Sequence, residues 1–190
     1  MKKSDKRQQL IEVATDLFNR FGYHAAGIDR VIEESGIAKT TLYRHFKSKE
    51  ELIVAVINQV DENFRNNIRA FVDNKKASPV DKILATFDYL EQWFSDDAFF
   101  GCPFISAAGE YSERNGMVFQ ASAMHKRLMI AYFEELAHAA QLKNPRQFAE
   151  KINLLHEGAT AVAHITGNNE AASQARKIAH QLITAALASD

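Results

Sequence analysis

The chain of 190 residues holds one cysteine, three prolines and one tryptophan. It has no apolar run approaching the ~18 residues that a membrane-spanning helix needs. The single cysteine, Cys102, excludes an intramolecular disulfide framework and any zinc site built from several cysteines. The seven histidines, His24, His45, His125, His138, His156, His164 and His180, form no HExxH pair and no Cys-His cluster. The sequence therefore carries no metal-ligating signature, and no cofactor is expected. Strand-like alternation of β-branched residues is missing too. An enzyme would need a nucleophile with a base, or paired carboxylates, in a cleft. Cys102 with His125 or His156 has no such motif around it, so no enzyme is expected. The first residues, MKKSDKRQQLIEVA, are basic without the apolar stretch of a signal peptide. A cytoplasmic location is the expectation.

What is present is helical periodicity almost from end to end. The first helix is expected over about Ser4 to Phe21, with Leu10, Ala14, Leu17 and Phe21 on one face and Gly22 ending it. The segment GIDRVIEESGIAKTTLYRHFKSKEEL follows at residues 27–52. Two short apolar-periodic stretches, Ile28-Val31-Ile32 and Leu42-Phe46, flank Ser35-Gly36-Ile37, where glycine permits the sharp backbone turn of a helix-turn-helix. Leu42 and Phe46, four apart, are the buried anchors of the second helix. Its open face then carries Lys39, Thr40, Thr41, Tyr43, Arg44 and His45, all donors suited to phosphates or base edges. A merely solvated charged surface is the plain alternative for Lys39, Arg44, Lys47 and Lys49. Their coincidence with a glycine turn, a tyrosine and a short amphipathic helix favours nucleic acid.

Charge supports the same reading. The net charge is -1. Up to Glu50 the chain has ten Lys and Arg against seven Asp and Glu, a balance of +3; the remainder has 13 against 17, a balance of -4. A small basic reading head on an acidic body gives such an asymmetry.

The run from Phe18 to Leu52, with FNRFGY and IDRVIEESGIAKTTLYRHFKSKEEL, resembles the N-terminal domain of TetR-type transcriptional repressors. The resemblance implies a homodimeric, all-α protein: an N-terminal three-helix helix-turn-helix domain plus a C-terminal helical ligand-binding and dimerisation domain. The expected division is 1-48 for DNA binding and 49-190 for the body. Implied partners are double-stranded operator DNA, a small-molecule effector and a second copy of the chain, with no membrane. The expected DNA contacts are Lys39, Thr40, Thr41, Tyr43, Arg44, His45 and Lys49. Family members usually place Thr and Ser or Thr before the isoleucine that opens the second helix; here Ala26 and Gly27 stand there. Glycine is a tolerable N-cap, and a phosphate there would meet backbone N–H groups instead.

Beyond the reading helix, Ser48 with Glu51 three residues on forms a capping box. The helix it opens is expected to reach about Asn74 and to span roughly 35 Å at ~1.5 Å per residue. Ser78-Pro79 opens another helix, Pro103 a short one through about Tyr111, and Met117 a long one to about Gln141. Two helices remain, about Arg146 to Thr166 and Asn169 to Ala188. Their stripes, Phe148, Ile152, Leu155, Ala159 and Val162 on one and Ala175, Ile178, Leu182, Ala185 and Ala186 on the other, suit an antiparallel pair that meets its copy in a dimer. The same stripes suit an internal core.

Between Phe87 and Met124 the chain is rich in large adaptable apolar residues. Phe87, Leu90, Trp93, Phe94, Phe104 and Met124, with Tyr111, His125 and His156 as polar groups, are the expected lining of an effector site, although ordinary cores have the same composition. Cys102 is the remaining candidate ligand-binding residue. It precedes Pro103 at an expected helix N-terminus, a place that favours a thiolate and hence redox or electrophile sensing. A buried, inert cysteine is the plain alternative.

Overall fold

The computed structural model describes residues 3–75 and 77–188. Among the described residues there are nine helices: α1 (Lys3–Phe21), α2 (Ile28–Ser35), α3 (Lys39–His45), α4 (Lys49–Asp73), α5 (Pro79–Phe94), α6 (Pro103–Glu110), α7 (Met117–Ala139), α8 (Pro145–Thr166) and α9 (Ala171–Leu187). The expected elements match within a few residues at each end. Ser78 caps α5, its hydroxyl accepting from the Asp81 N–H at 3.2 Å, with Pro79 behind it in the first turn. The predicted capping box at α4 is present in a shifted form. Ser48 Oγ accepts from the Glu51 N–H at 3.2 Å, whereas the Glu51 carboxylate reaches back past Ser48 to the Lys47 N–H at 2.7 Å.

Two compact units divide the chain. One holds the chain up to Asn63 together with Pro103–His125; the other holds Phe64–Cys102 together with Lys126 onward. The expected single boundary after residue 48 differs from this division. Most of α4, all of α6 and the start of α7 associate with the helix-turn-helix, through contacts that join residues more than sixty positions apart, such as His125 with Asp61 and Glu110 with Tyr23.

In the first unit α1 supplies the floor. Leu10, Ala14, Leu17 and Phe18 are buried with Val31 of α2, Leu42 of α3, and Leu52, Ile53 and Val56 of α4. Phe21, expected on the same face, is exposed instead and lies under the Arg30 guanidinium at 3.8 Å. In the second unit α5, α8 and α9 pack on one another around Ile83, Leu84, Phe87, Leu90, Phe133, Ile152 and Ile183. Alanines at 159, 163, 171, 172, 175 and 179 are buried there, and their small side chains let α8 and α9 approach closely.

No helix among the described residues is long and apolar enough to cross a membrane.

Candidate nucleic-acid interface

Glycine sets the geometry of the α2–α3 turn. Gly36 has φ 64° and ψ 14°, a left-handed conformation that other residues adopt at a cost. Ser35 is buried and its hydroxyl accepts from the Ile37 N–H at 3.3 Å, tying the two arms of the turn. Gln9 of α1 donates to the Ser35 carbonyl at 3.0 Å, so the turn is also fastened to the floor. At the opposite end of α2, Gly27 is the N-cap in extended conformation without a side-chain bond, and Ala26 is buried. A capping hydroxyl is absent, as the residue types imply.

α3 has seven residues and no side-chain cap. A helix that short gains little from its own backbone bonds, so its place depends on Leu42 and Phe46, both almost fully buried. With these two turned inward, Lys39, Thr40, Tyr43 and Arg44 are exposed, and Thr41 and His45 are half-buried. Tyr43 is 44% exposed, so its ring and hydroxyl are open on this face. Lys39 Nζ sits 2.9 Å from Asp29 Oδ1, and this hydrogen bond, with the charge of Asp29, raises its pKa above the ordinary lysine value.

Lys49 is placed differently. Its ammonium donates to the His24 carbonyl at 2.9 Å, and partial burial lowers its pKa. That bond joins the start of α4 to the turn between α1 and α2. The same turn is gripped from α6: the Glu110 carboxylate accepts from the backbone N–H of Tyr23 at 2.8 Å and of His24 at 2.6 Å. His24 Nε2 lies 2.8 Å from the Glu110 carbonyl, and its ring stacks on Tyr111 with centroids 4.5 Å apart. Gly22, with φ 84°, has no Cβ where the Glu110 Oε1 would be met at 3.0 Å. Sequence reading missed Glu110 and His24. Neither stands in a motif, and their contact spans 86 positions.

Residues 10–56 match the family model described as bacterial regulatory proteins of the tetR family, and residues 79–179 match the tetracyclin repressor-like C-terminal domain. The second match alone covers more than half of the chain. The chain belongs to the TetR family. FasR, an HTH-type transcriptional activator of Mycolicibacterium smegmatis, is 36% identical over 93 residues, which are 47% of this chain and 42% of FasR. An HTH-type transcriptional regulator of Staphylococcus aureus is 31% identical over 131 residues, 68% of this chain and 66% of that protein. Over the sequence relatives LmrA of Bacillus subtilis and RutR of Escherichia coli the alignment spans only 37% and 32% of their lengths. In fold, a TetR-family regulator from Streptomyces coelicolor superposes with a TM-score of 0.88 at 24% identity, covering 96% of both chains. The reduced form of Escherichia coli NemR gives 0.84 at 21% identity, covering 92% of this chain and 95% of NemR.

In this TetR-family regulator, a DNA-binding protein by family and not an enzyme, the residues expected to line an effector site separate between the two units. Phe87, Leu90 and Phe94 are buried in the core of the second, with Trp93 partly buried against it. Phe104, Tyr111, Met124 and His125 belong to the first. There the Phe104 ring stacks on His125 at 3.6 Å, His125 Nδ1 lies 2.7 Å from Asp61 Oδ1, and Met124 is 49% exposed. Two open clefts, of about 410 Å³ beside Phe46 and about 700 Å³ beside Asn144, contain none of these residues. His156 is buried between the rings of Phe87 and Phe133, with centroids 4.4 and 4.7 Å away. Thr86 Oγ1 donates to the Ile83 carbonyl at 2.7 Å and so accepts from His156 Nε2 at 2.9 Å, fixing the Nε2–H tautomer. Burial, assisted by the charge of Lys126, pushes the His156 imidazole down to about 3.

The dimer stripe needs correction in detail. Phe148, Ile152 and Ala159 are buried inside the chain, and Leu155, Leu182 and Ala186 are partly buried against the same core. Val162 and Ile178 of the expected stripes are open, and Leu154, Ile165 and Leu187 are the other exposed large apolar residues of α8 and α9, with Ile165 at 80%. α8 is apolar on two faces, and the periodic stripe mixed them, taking Phe148, Ile152 and Ala159 from the inward one and Val162 from the outward one.

Cys102 is partly exposed. Lys126 Nζ lies 3.2 Å from its sulfur and 2.7 Å from both carboxylate oxygens of Glu157. Lys126 was not anticipated; its separation of 24 positions from Cys102 leaves no sequence signal.

Proposed function

We propose that this protein is a ligand-responsive repressor that binds palindromic operator DNA as a homodimer. The observation that carries this reading is the open polar face of α3, with Lys39, Thr40, Tyr43 and Arg44 displayed and Leu42 and Phe46 buried. Tyr43 and Thr40 read base edges or pack on sugars, while Lys39, Arg44 and Lys47 take phosphates. Lys49 acts mainly by holding the turn at His24, with its remaining N–H groups turned to the backbone of the operator. Two heads read half-sites separated by roughly 34 to 36 Å or a multiple, as two-fold dimers do. The exposed Leu154, Val162, Ile165 and Ile178 support dimerisation through the outward faces of α8 and α9. In the body, an apolar or aromatic effector is received near the partly buried rings of Trp93 and Phe99, whose centroids stand 4.9 Å apart. Effector and operator then weaken each other's binding by one common factor.

A second reading, release of DNA by covalent chemistry at Cys102, is favoured by the Lys126 ammonium at its sulfur. Replacement of Cys102 by Ser separates the two: noncovalent induction persists in the variant, covalent sensing is lost.

The test is an electrophoretic shift against a pool of palindromic duplexes. Tyr43→Ala is expected to cost about 1 to 3 kcal/mol of specific binding with its fold intact. Parental affinity and salt dependence in both Tyr43→Ala and Arg44→Ala would remove α3 from the interface. Sedimentation of Ile165→Asp, expected to be a folded monomer, checks the dimer face; an intact dimer would place it elsewhere.

A further inference from the structure

Asp29 is an anion on the face that the reading above turns towards DNA. It is the second residue of α2, and its side chain is 86% exposed. Its Oδ1 accepts from Lys39 Nζ at 2.9 Å, and Lys39 is the first residue of α3. We propose that Asp29, held in place by Lys39, reads a base edge and selects cytosine at one position of each operator half-site. The inference rests on the reading of α3 as the DNA-contacting helix and names one base of its target.

Stability does not explain the pair. Both side chains are open to solvent, and an exposed ion pair contributes little to a fold. An acid in the first turn of α2 suits the helix dipole, but that benefit needs no partner on α3. Against DNA the pairing has a use. A bare carboxylate on this face would repel the phosphates, whereas one neutralised by an ammonium can approach them. Lys39 has three N–H groups, so holding Asp29 leaves others for the phosphate that it takes.

Position and chemistry then narrow the target. In a helix-turn-helix the first residues of the second helix meet base edges in the major groove. Lys39 is the first of them, and the carboxylate bonded to its ammonium is carried to the same groove. A carboxylate accepts hydrogen bonds and donates none. Guanine offers it only N7 and O6, and thymine only O4, all of them acceptors that repel it. Adenine and cytosine each present an amino group. Adenine sets its N7 acceptor beside that group, against the second carboxylate oxygen, while cytosine has no acceptor on its own major-groove edge. Cytosine is the better match.

The probe is a pool of duplexes with randomised palindromic half-sites, from which full-length parent and variants each select binders that are then sequenced. Asp29→Ala and Asp29→Asn are first checked for parental thermal unfolding, which the exposure of Asp29 leads us to expect. The parent is expected to favour cytosine at one position of each half-site by roughly 5- to 150-fold over other bases. Asp29→Ala is expected to lose that preference and to keep those elsewhere in the site. Asp29→Asn is expected to move it to adenine, whose N6 and N7 an amide matches with one acceptor and one donor. Lys39→Ala is expected to weaken binding to every sequence and to blunt the cytosine preference. A base profile for Asp29→Ala equal to the parent's overturns the proposal. So does an equal gain in affinity for all sequences in both Asp29 variants, which would make Asp29 a brake of charge and nothing more. Tyr43→Ala and Arg44→Ala separate the two levels of failure. If they weaken binding while Asp29→Ala leaves the profile intact, the cytosine contact alone falls; if they also change nothing, the reading of α3 falls with it.

Discussion

The unit that presents α3 and the unit that buries His156 hold their helices together differently. In the first, an apolar floor is supplemented by directed polar ties between distant segments: Gln9 to the Ser35 carbonyl, Lys49 to the His24 carbonyl, and Glu110 to the N–H groups of Tyr23 and His24. Each such bond adds little to stability, on the order of 0.5–1.5 kcal/mol, with more for charged partners. Their value is direction, because a hydrogen bond fixes where a turn points. In the second unit, alanine-lined helices and aromatic rings close on one another around a small buried polar cluster of Thr86, His156 and Thr160. Packing of that kind resists small adjustments. The difference shows a reading element held by contacts that can be changed one at a time, and a body whose interior responds as a whole.

Three measurements sharpen or break this comparison. Phe87→Ala is expected to cost about 3 to 5 kcal/mol in chemical denaturation, the price of emptying a fully buried ring position. A loss below about 1 kcal/mol would mean that Phe87 borders accessible space, which would restore it to the effector site. Glu110→Ala is expected to cost less, about 1.5 to 3 kcal/mol, since two backbone donors lose a charged acceptor. Hydrogen exchange should speed up at Tyr23 and His24 with little change in the body. If protection were instead lost evenly across the chain, the polar ties would be carrying global stability and the contrast would fail.

Acid titration gives the smallest change per step. The folded imidazole of His156 sits at about 3, below the ordinary histidine value near 6.5. The unfolded chain therefore takes up the proton first. Stability tied to His156 is present in full above pH ~6.5 and falls as the pH drops from there towards ~3, by up to about 1.4 kcal/mol for each pH unit. The difference between the parent and His156→Gln should follow that slope. Parallel stability curves between pH 6.5 and 4 would show that the buried site accepts a proton without loss.

Much of the fold was legible because its signals are local. Periodicity of Leu52, Val56, Ile68 and their equivalents, prolines at helix starts and a glycine at the α2–α3 turn each act within a few residues. The open face of α3 was legible for the same reason: once Leu42 and Phe46 turn inward, geometry assigns the remaining side chains. Which side of an apolar helix meets the chain's own core is a tertiary question. On α8, Phe148 and Ile152 satisfy the same spacing rule as Leu154, Val162 and Ile165, and only packing against α5 and α9 separates them. The aromatic residues near Phe87 likewise revealed hydrophobicity without location, and two units share them. The contacts of Glu110 with His24 and of Lys126 with Cys102 join segments whose nearness nothing in the intervening sequence encodes.

Gly22 and Glu110 have a consequence for how this chain can change in descent. A Cβ at position 22 would stand 3.0 Å from Glu110 Oε1, and the backbone there is left-handed. A side chain at 22 would therefore strain the backbone and press the carboxylate back by a few tenths of an ångström, loosening its hold on the two N–H groups. Substitutions at 22 and 110 are thus expected to be non-additive, the added cost of a side chain at 22 being smaller where position 110 already carries a short one.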